Sequence, residues 1–147
     1  MSPDNPLFVW LAPFWIAGWI GISIVFRLNR GKPIFPKRPD GALFYEGWAS
    51  GRSLATLWGR IGGARNCLMI TVTPKELIVT PRFPFNLMFL PEIYGMEACV
   101  PRSRVRIEND SAGLLKRGII IVVDGADSLR MELMPRNKAR FLKALEG

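Results

Sequence analysis

Three arginines at alternate positions, Arg102, Arg104 and Arg106 in CVPRSRVRIE, have a spacing that suggests chemistry. On an extended strand alternate residues share one face and repeat about every 6.6 Å. A row of guanidinium groups at that interval suits phosphate oxygens, whether on a lipid headgroup or on nucleic acid. It equally suits the solvated outer face of a sheet, and Glu108, next on the same face, would neutralise one member. A second candidate is the glycine-rich stretch Gly59-Arg60-Ile61-Gly62-Gly63-Ala64-Arg65. It has neither the glycine spacing nor the lysine–hydroxyl pair of a phosphate-cradling loop, so it reads as a plain loop.

Catalytic constellations are missing from the sequence. The 147 residues include no histidine, which removes the usual general base, the usual nucleophile activator and the commonest zinc ligand. Ser103 lies between arginines without a base, and no Ser, Cys or Lys has an activating context. Cys67 in NCLMI and Cys99 in ACVP read as small buried hydrophobes, reduced on the cytoplasmic side of a membrane. The expectation is a protein that is not an enzyme, with no catalytic, cofactor or metal site and no small-molecule ligand.

What would position these residues begins with an apolar run, LFVWLAPFWIAGWIGISIVF, from Leu7 to Phe26. Twenty residues at about 1.5 Å each reach roughly 30 Å, the thickness of a bilayer's hydrocarbon core. Asp4 is the one charged side chain before the run, whereas the twelve residues after it hold five basic residues and no acid. A signal peptide has the reverse order, positive charge first. The basic flank, Arg27, Arg30, Lys32, Lys37 and Arg38, predicts an N-terminus outside and a cytoplasmic remainder, in a bacterial inner membrane. It would also attract anionic headgroups. Within the run, Trp10 suits the outer interface. Trp15 and Trp19 stand one helical turn apart, and Gly18 and Gly21 offer small residues, so this face suits a partner helix or, equally, lipid.

The predicted organisation is a short outer tail over residues 1–6, a transmembrane helix over 7–28, a basic, proline-rich linker over 29–40 and one domain over 41–147. From Pro39 onward fifteen basic residues face eleven acidic ones, so the net charge of +8 mostly reflects the flank and argues against nucleic acid as a partner. GKPIFPKRP predicts a stiff, extended connector.

Alternation predicts strands in the domain. Leu43 to Ala49 suits a first strand by its aromatics, and SLATLWGRI fits either a short helix or a strand. Leu68, Ile70 and Val72 alternate with Cys67, Met69 and Thr71, Thr73-Pro74-Lys75-Glu76 is a turn, and LIVT returns as the second arm of a hairpin. CVPRSRVRIE is one strand, and Arg117 to Gly125 is a central strand apolar on both faces. After a hairpin loop at 124–127, Leu129, Met131 and Leu133 face in while Arg130 and Glu132 face out. Residues 136–146 form a terminal helix with Phe141, Leu142 and Leu145 on one stripe.

Between the hairpin and the arginine strand lies a segment with neither period, in which Phe83, Phe85, Leu87, Met88, Phe89 and Leu90 are too many apolar side chains for a free loop. Three readings fit them: half plug an open end of the sheet, or the segment touches the membrane, or it docks a partner subunit.

The order ITVTPKELIVTP, then PFNLMFLP, then CVPRSRVRI, resembles the small bacterial pleckstrin-homology-like proteins that carry such a domain behind transmembrane helices. The likeness runs from about Asn66 to Leu145. It implies a curved, mainly antiparallel sheet or partly open barrel capped by a C-terminal helix, and binding or scaffolding at a membrane face. No basic signature loop for phosphoinositides is matched. The expected function is an accessory or scaffold protein that docks onto a larger integral membrane complex. The alternative is a tether reading anionic lipid through its basic residues. The bilayer and another integral membrane protein are the expected partners.

Overall fold

Twenty-four residues with Arg27 as their sole charged side chain wind into α1, Pro6–Asn29. The computed structural model describes residues 6–88, 95–108, 118–125 and 129–147. Over Val9–Asn29 the helix is long and apolar enough to cross a membrane, with a mean hydropathy of 1.9, and only 6% of that window is buried by the rest of the chain. Pro13 falls inside it, so the Val9 carbonyl has no helical N–H to accept from.

Seven strands follow: β1 Phe44–Ser53, β2 Ala64–Val72, β3 Glu76–Pro81, β4 Ala98–Pro101, β5 Val105–Glu108, β6 Ile119–Val123 and β7 Leu129–Met134. They form one open antiparallel sheet in the order β4-β3-β2-β1-β7-β6-β5. The β2–β3 hairpin is set by Thr73, whose Oγ1 accepts from the Glu76 amide at 2.9 Å, and its register pairs Leu68 with Pro81 and Val72 with Leu77.

β1 joins the two halves. Its first part pairs with β2 and its last four residues with β7, with register shifts between Glu46 and Ala49 and between Ala49 and Gly51. Such bulges raise local twist and bend the strand. Gly51 is required there, because a Cβ would stand 2.9 Å from the Glu132 carbonyl oxygen.

The core draws on the inward residues of both halves: Leu68, Ile70, Val72, Leu77 and Val79 from one, Ile119, Ile121, Met131 and Leu133 from the other. The C-terminal helix α3, Lys138–Glu146, covers it. Asn137 caps α3, its Oδ1 accepting from the Arg140 amide at 3.0 Å. Phe141 is fully buried and meets the Phe44 ring edge-on at 5.4 Å. Between β1 and β2 lies a short helix, α2 Leu57–Ile61, which resolves the ambiguity of SLATLWGRI.

Three expectations are corrected, and one residue is buried on the face expected for it. CVPRSRVRIE is two strands, not one: β4 pairs with β3 at one edge of the sheet, β5 pairs with β6 at the other, and a 3-10 turn over Arg102–Arg104 carries the chain between them. β6 is second from an edge instead of central. Glu132 does lie on the face opposite Met131 and Leu133, but it is 3% exposed there, because Arg52 supplies its counter-charge, Nε to Oε2 at 2.6 Å. Cys67 is buried as expected, but Cys99 is exposed, on the edge strand β4.

Candidate functional site

The helix and the sheet meet at a buried charge. Residues four apart on a helix share a face, and Ser23 and Arg27 turn the same face of α1 inward, each 1% exposed. The Arg27 guanidinium lies against Glu97, with Nη2 to Oε1 at 3.2 Å and Nη1 to Oε2 at 3.4 Å. It also donates to the carbonyls of Asn86 at 3.3 Å and Pro33 at 3.2 Å. Lys32 Nζ reaches the same carboxylate at 2.8 Å. Asn86 is fully buried and its Nδ2 donates to the Ile34 carbonyl at 2.6 Å. The linker is thus folded back onto the domain, not held out as a spacer. A buried charge with several partners fixes geometry, since loss of any one leaves the rest unsatisfied.

This changes the reading of the basic flank. Arg27 is an internal ion-pair member and Lys32 its neighbour, whereas Lys37 and Arg38 are exposed. Arg30 lies over the Phe26 ring at 4.3 Å and Arg38 over Tyr45 at 5.4 Å.

Past Arg27 the same helix face leaves the clamp and runs beside the β3–β4 connection. Trp15, Ile16, Trp19 and Ile20 form one wall of a groove of about 510 Å³, and Phe83, Pro84, Leu87 and Met88 the other. Trp15 and Trp19 stack at 5.6 Å. Phe35 from the linker closes on Phe83 at 4.9 Å. Trp19 lies eight residues from Arg27, about 12 Å along the axis, so this loop flanks the apolar stretch of α1 itself. Trp15 and Met88 remain 67% and 55% exposed.

The side chains of the loop divide between core and surface. Leu87 is buried, Phe85 packs against the core, and Phe83 and Met88 face outward. Phe89 and Leu90 lie outside the described residues. On α1, Gly18 and Gly21 line a second hollow with Ile22, Val25 and Phe26. A Cβ at either glycine would meet nothing within 4 Å. Trp10 is 64% exposed.

The arginine row does not form. Arg102 and Arg104 belong to the turn, while Arg106 is on β5 and pairs with Asp124 at 2.5 Å. Glu108 pairs with Arg130 at 2.7 Å. The turn is forced because consecutive strands must serve opposite edges of the sheet. The glycine-rich stretch is not a plain loop: Gly59, Arg60 and Ile61 belong to α2 and Ala64 and Arg65 to β2, and residues 61–65 line a hollow beside the Arg52–Glu132 pair.

Among the described residues no group of three His, Cys, Asp or Glu side chains converges as a metal site would. Desolvation raises the Cys67 thiol above the ordinary range. Cys99 is raised as well, first by desolvation and then by Glu76, whose carboxylate accepts from Sγ at 3.7 Å. A raised pKa lowers the thiolate fraction, so neither thiol is poised as a nucleophile.

The sequence places Glu97 beside a loop and Asn86 within the apolar segment, and assigns neither a role. A basic residue closing an apolar run invites a surface reading, and nothing in PEIYGMEA sets Glu97 apart from Glu92 as its partner. No protein-family model matches the chain, and neither a curated protein nor a solved structure does.

Proposed function

We propose that this chain is a non-enzymatic, single-pass membrane protein whose helix and cytoplasmic domain act as one docking body for another integral membrane protein. Its N-terminus is outside and its domain is a pleckstrin-homology-like module. The strand order 4-3-2-1-7-6-5 with a C-terminal helix supports that likeness. One observation carries the docking reading. The apolar groove between α1 and the Phe83–Met88 segment lies at the depth of the candidate span, where a second transmembrane helix would enter it. Around it Trp15, Trp19, Phe83 and Met88 retain large exposed areas. A clamped helix keeps the two walls in register, so a partner binds a preformed surface.

Reading of anionic lipid has weaker support. Lys37 and Arg38 are free of ion pairs among the described residues, but Arg27, Lys32 and Arg106 have carboxylate partners.

The test is extraction of the full chain from its own membrane in mild detergent by a C-terminal tag, with native gels and mass spectrometry. A stoichiometric integral membrane companion is expected. It should be lost from Trp15→Ala/Met88→Ser, both exposed positions that the fold tolerates. Wild-type protein running as a lone small particle would defeat the reading.

A further inference from the structure

The sheet end that holds α1 carries a second exposed apolar element. α2 is only five residues long, yet Leu57, Trp58 and Ile61 are 74%, 66% and 85% exposed. Positions i, i+1 and i+4 of a helix lie within about 100° of one another, so these three form one face. They point outward because the opposite side is pinned. Thr56 Oγ1 accepts from the Gly59 amide at 3.0 Å, and Gly59 is buried so tightly on β1 that a Cβ would stand 2.5 Å from the Ser53 carbonyl oxygen. So short a helix does not hold itself together in water. Its packing on β1 holds it in this orientation.

The position of α2 follows from pairing. Leu68 pairs with Pro81, the last residue of β3, and β1 and β2 run about four residues further the same way, to Ser53 and Ala64. Next come Asn86 and Glu97, which receive Arg27 of α1. Gly95 approaches β1 there, since a Cβ on it would lie 3.4 Å from Ser53 Oγ. The β1–β2 and β3–β4 connections therefore share one end of the sheet, two strand spacings or about 10 Å apart across the strands, with the β1–β2 corner reaching further along them. The Lys75 turn is at the other end.

The charge around α2 is of one sign. No acidic residue occurs between Glu46 and Glu76, while Arg52, Arg60 and Arg65 do. Glu132 pairs with Arg52, and Arg60 and Arg65 are exposed beside the apolar face. Large apolar side chains flanked by arginines are the composition of an element lying in the headgroup–acyl boundary.

From this we infer that α2 is a second membrane contact, seating Leu57, Trp58 and Ile61 in the interfacial layer of the bilayer that α1 crosses. The domain thereby stands on the membrane at two points and cannot swivel about its helix. This rests on the reading of α1 as a span. A tether that is already inserted raises the local concentration of a weak second contact, so three side chains suffice.

The test uses the full chain with Cys99→Ser, in liposomes containing anionic lipid. An environment-sensitive fluorophore is placed in turn at Trp58→Cys, Ile61→Cys, Ile16→Cys and Lys75→Cys, leaving buried Cys67 unlabelled. Positions 58 and 61 are expected to emit to the blue of position 75, and to be quenched by a nitroxide near the headgroup end of the acyl chain. Position 16 is expected to be quenched by a deeper nitroxide. Water-like emission at 58 and 61 with position 16 in lipid overturns this inference and leaves the span intact. Blue emission without lipid quenching means that protein covers α2, and also overturns it. If position 16 escapes the deep nitroxide, the span reading falls and the inference with it.

Discussion

Glu97 is the residue on which the link between helix and sheet depends. It accepts from both Arg27 and Lys32, and Arg27 is all but inaccessible to water. Removing one partner of a buried pair leaves an uncompensated charge, which costs about 3–5 kcal/mol, whereas replacing both by apolar residues of similar volume is often neutral. Glu97→Ala is therefore expected to lower unfolding stability by about 3 kcal/mol. The double variant Arg27→Met/Glu97→Met should recover most of that loss. Denaturant titration of the detergent-solubilised protein, monitored at the sheet, measures both. Equal losses in the single and double variants would mean the pair is not the link. At this scale the sequence displays types without partners. Arg27 follows an apolar run and so resembles a surface anchor, and nothing local reveals a carboxylate seventy residues onward. Glu132 makes the same point: alternation in SLRMELM assigns it to the outer face, where it lies, but does not reveal that Arg52, on the neighbouring strand, makes its burial there tolerable.

Among the elements, local patterns were legible and long-range pairings were not. The stripe Phe141, Leu142 and Leu145 predicts α3 within two residues of its start, because helical period is a local signal. The β2–β3 hairpin reads equally well from its alternation and its Thr-Pro turn. By contrast, PRSRVR alternates just as a strand does, yet part of it is a turn. Partner strands at opposite edges of the sheet decide that, and they are far apart in sequence. α3 is the lid over the core, so its central residue is the sensitive one. Phe141→Ala is expected to destabilise the domain by about 3–5 kcal/mol, since the cavity against Phe44 cannot close without moving both β1 and α3. Thermal unfolding would read it. A change below about 1 kcal/mol would mean that the end of the sheet closes over the gap.

For the whole molecule, the chain is an apolar helix clamped to an open seven-stranded sheet, with exposed apolar side chains concentrated along the helix, on the β3–β4 segment and on α2. Each of these groups is visible in the sequence as composition. Their assembly into one groove and one end of the sheet is tertiary, and depends on the strand order and on Arg27. The central claim is that this groove holds another integral membrane protein. Its most direct measurement is site-specific photo-crosslinking of the full chain in its native membrane, with the reactive residue at Trp19 or Met88 in the groove and at Lys75 on the distal turn as control. One discrete protein adduct, shared by positions 19 and 88 and missing at 75, is the predicted result. Crosslinks to lipid alone at both groove positions would contradict the account.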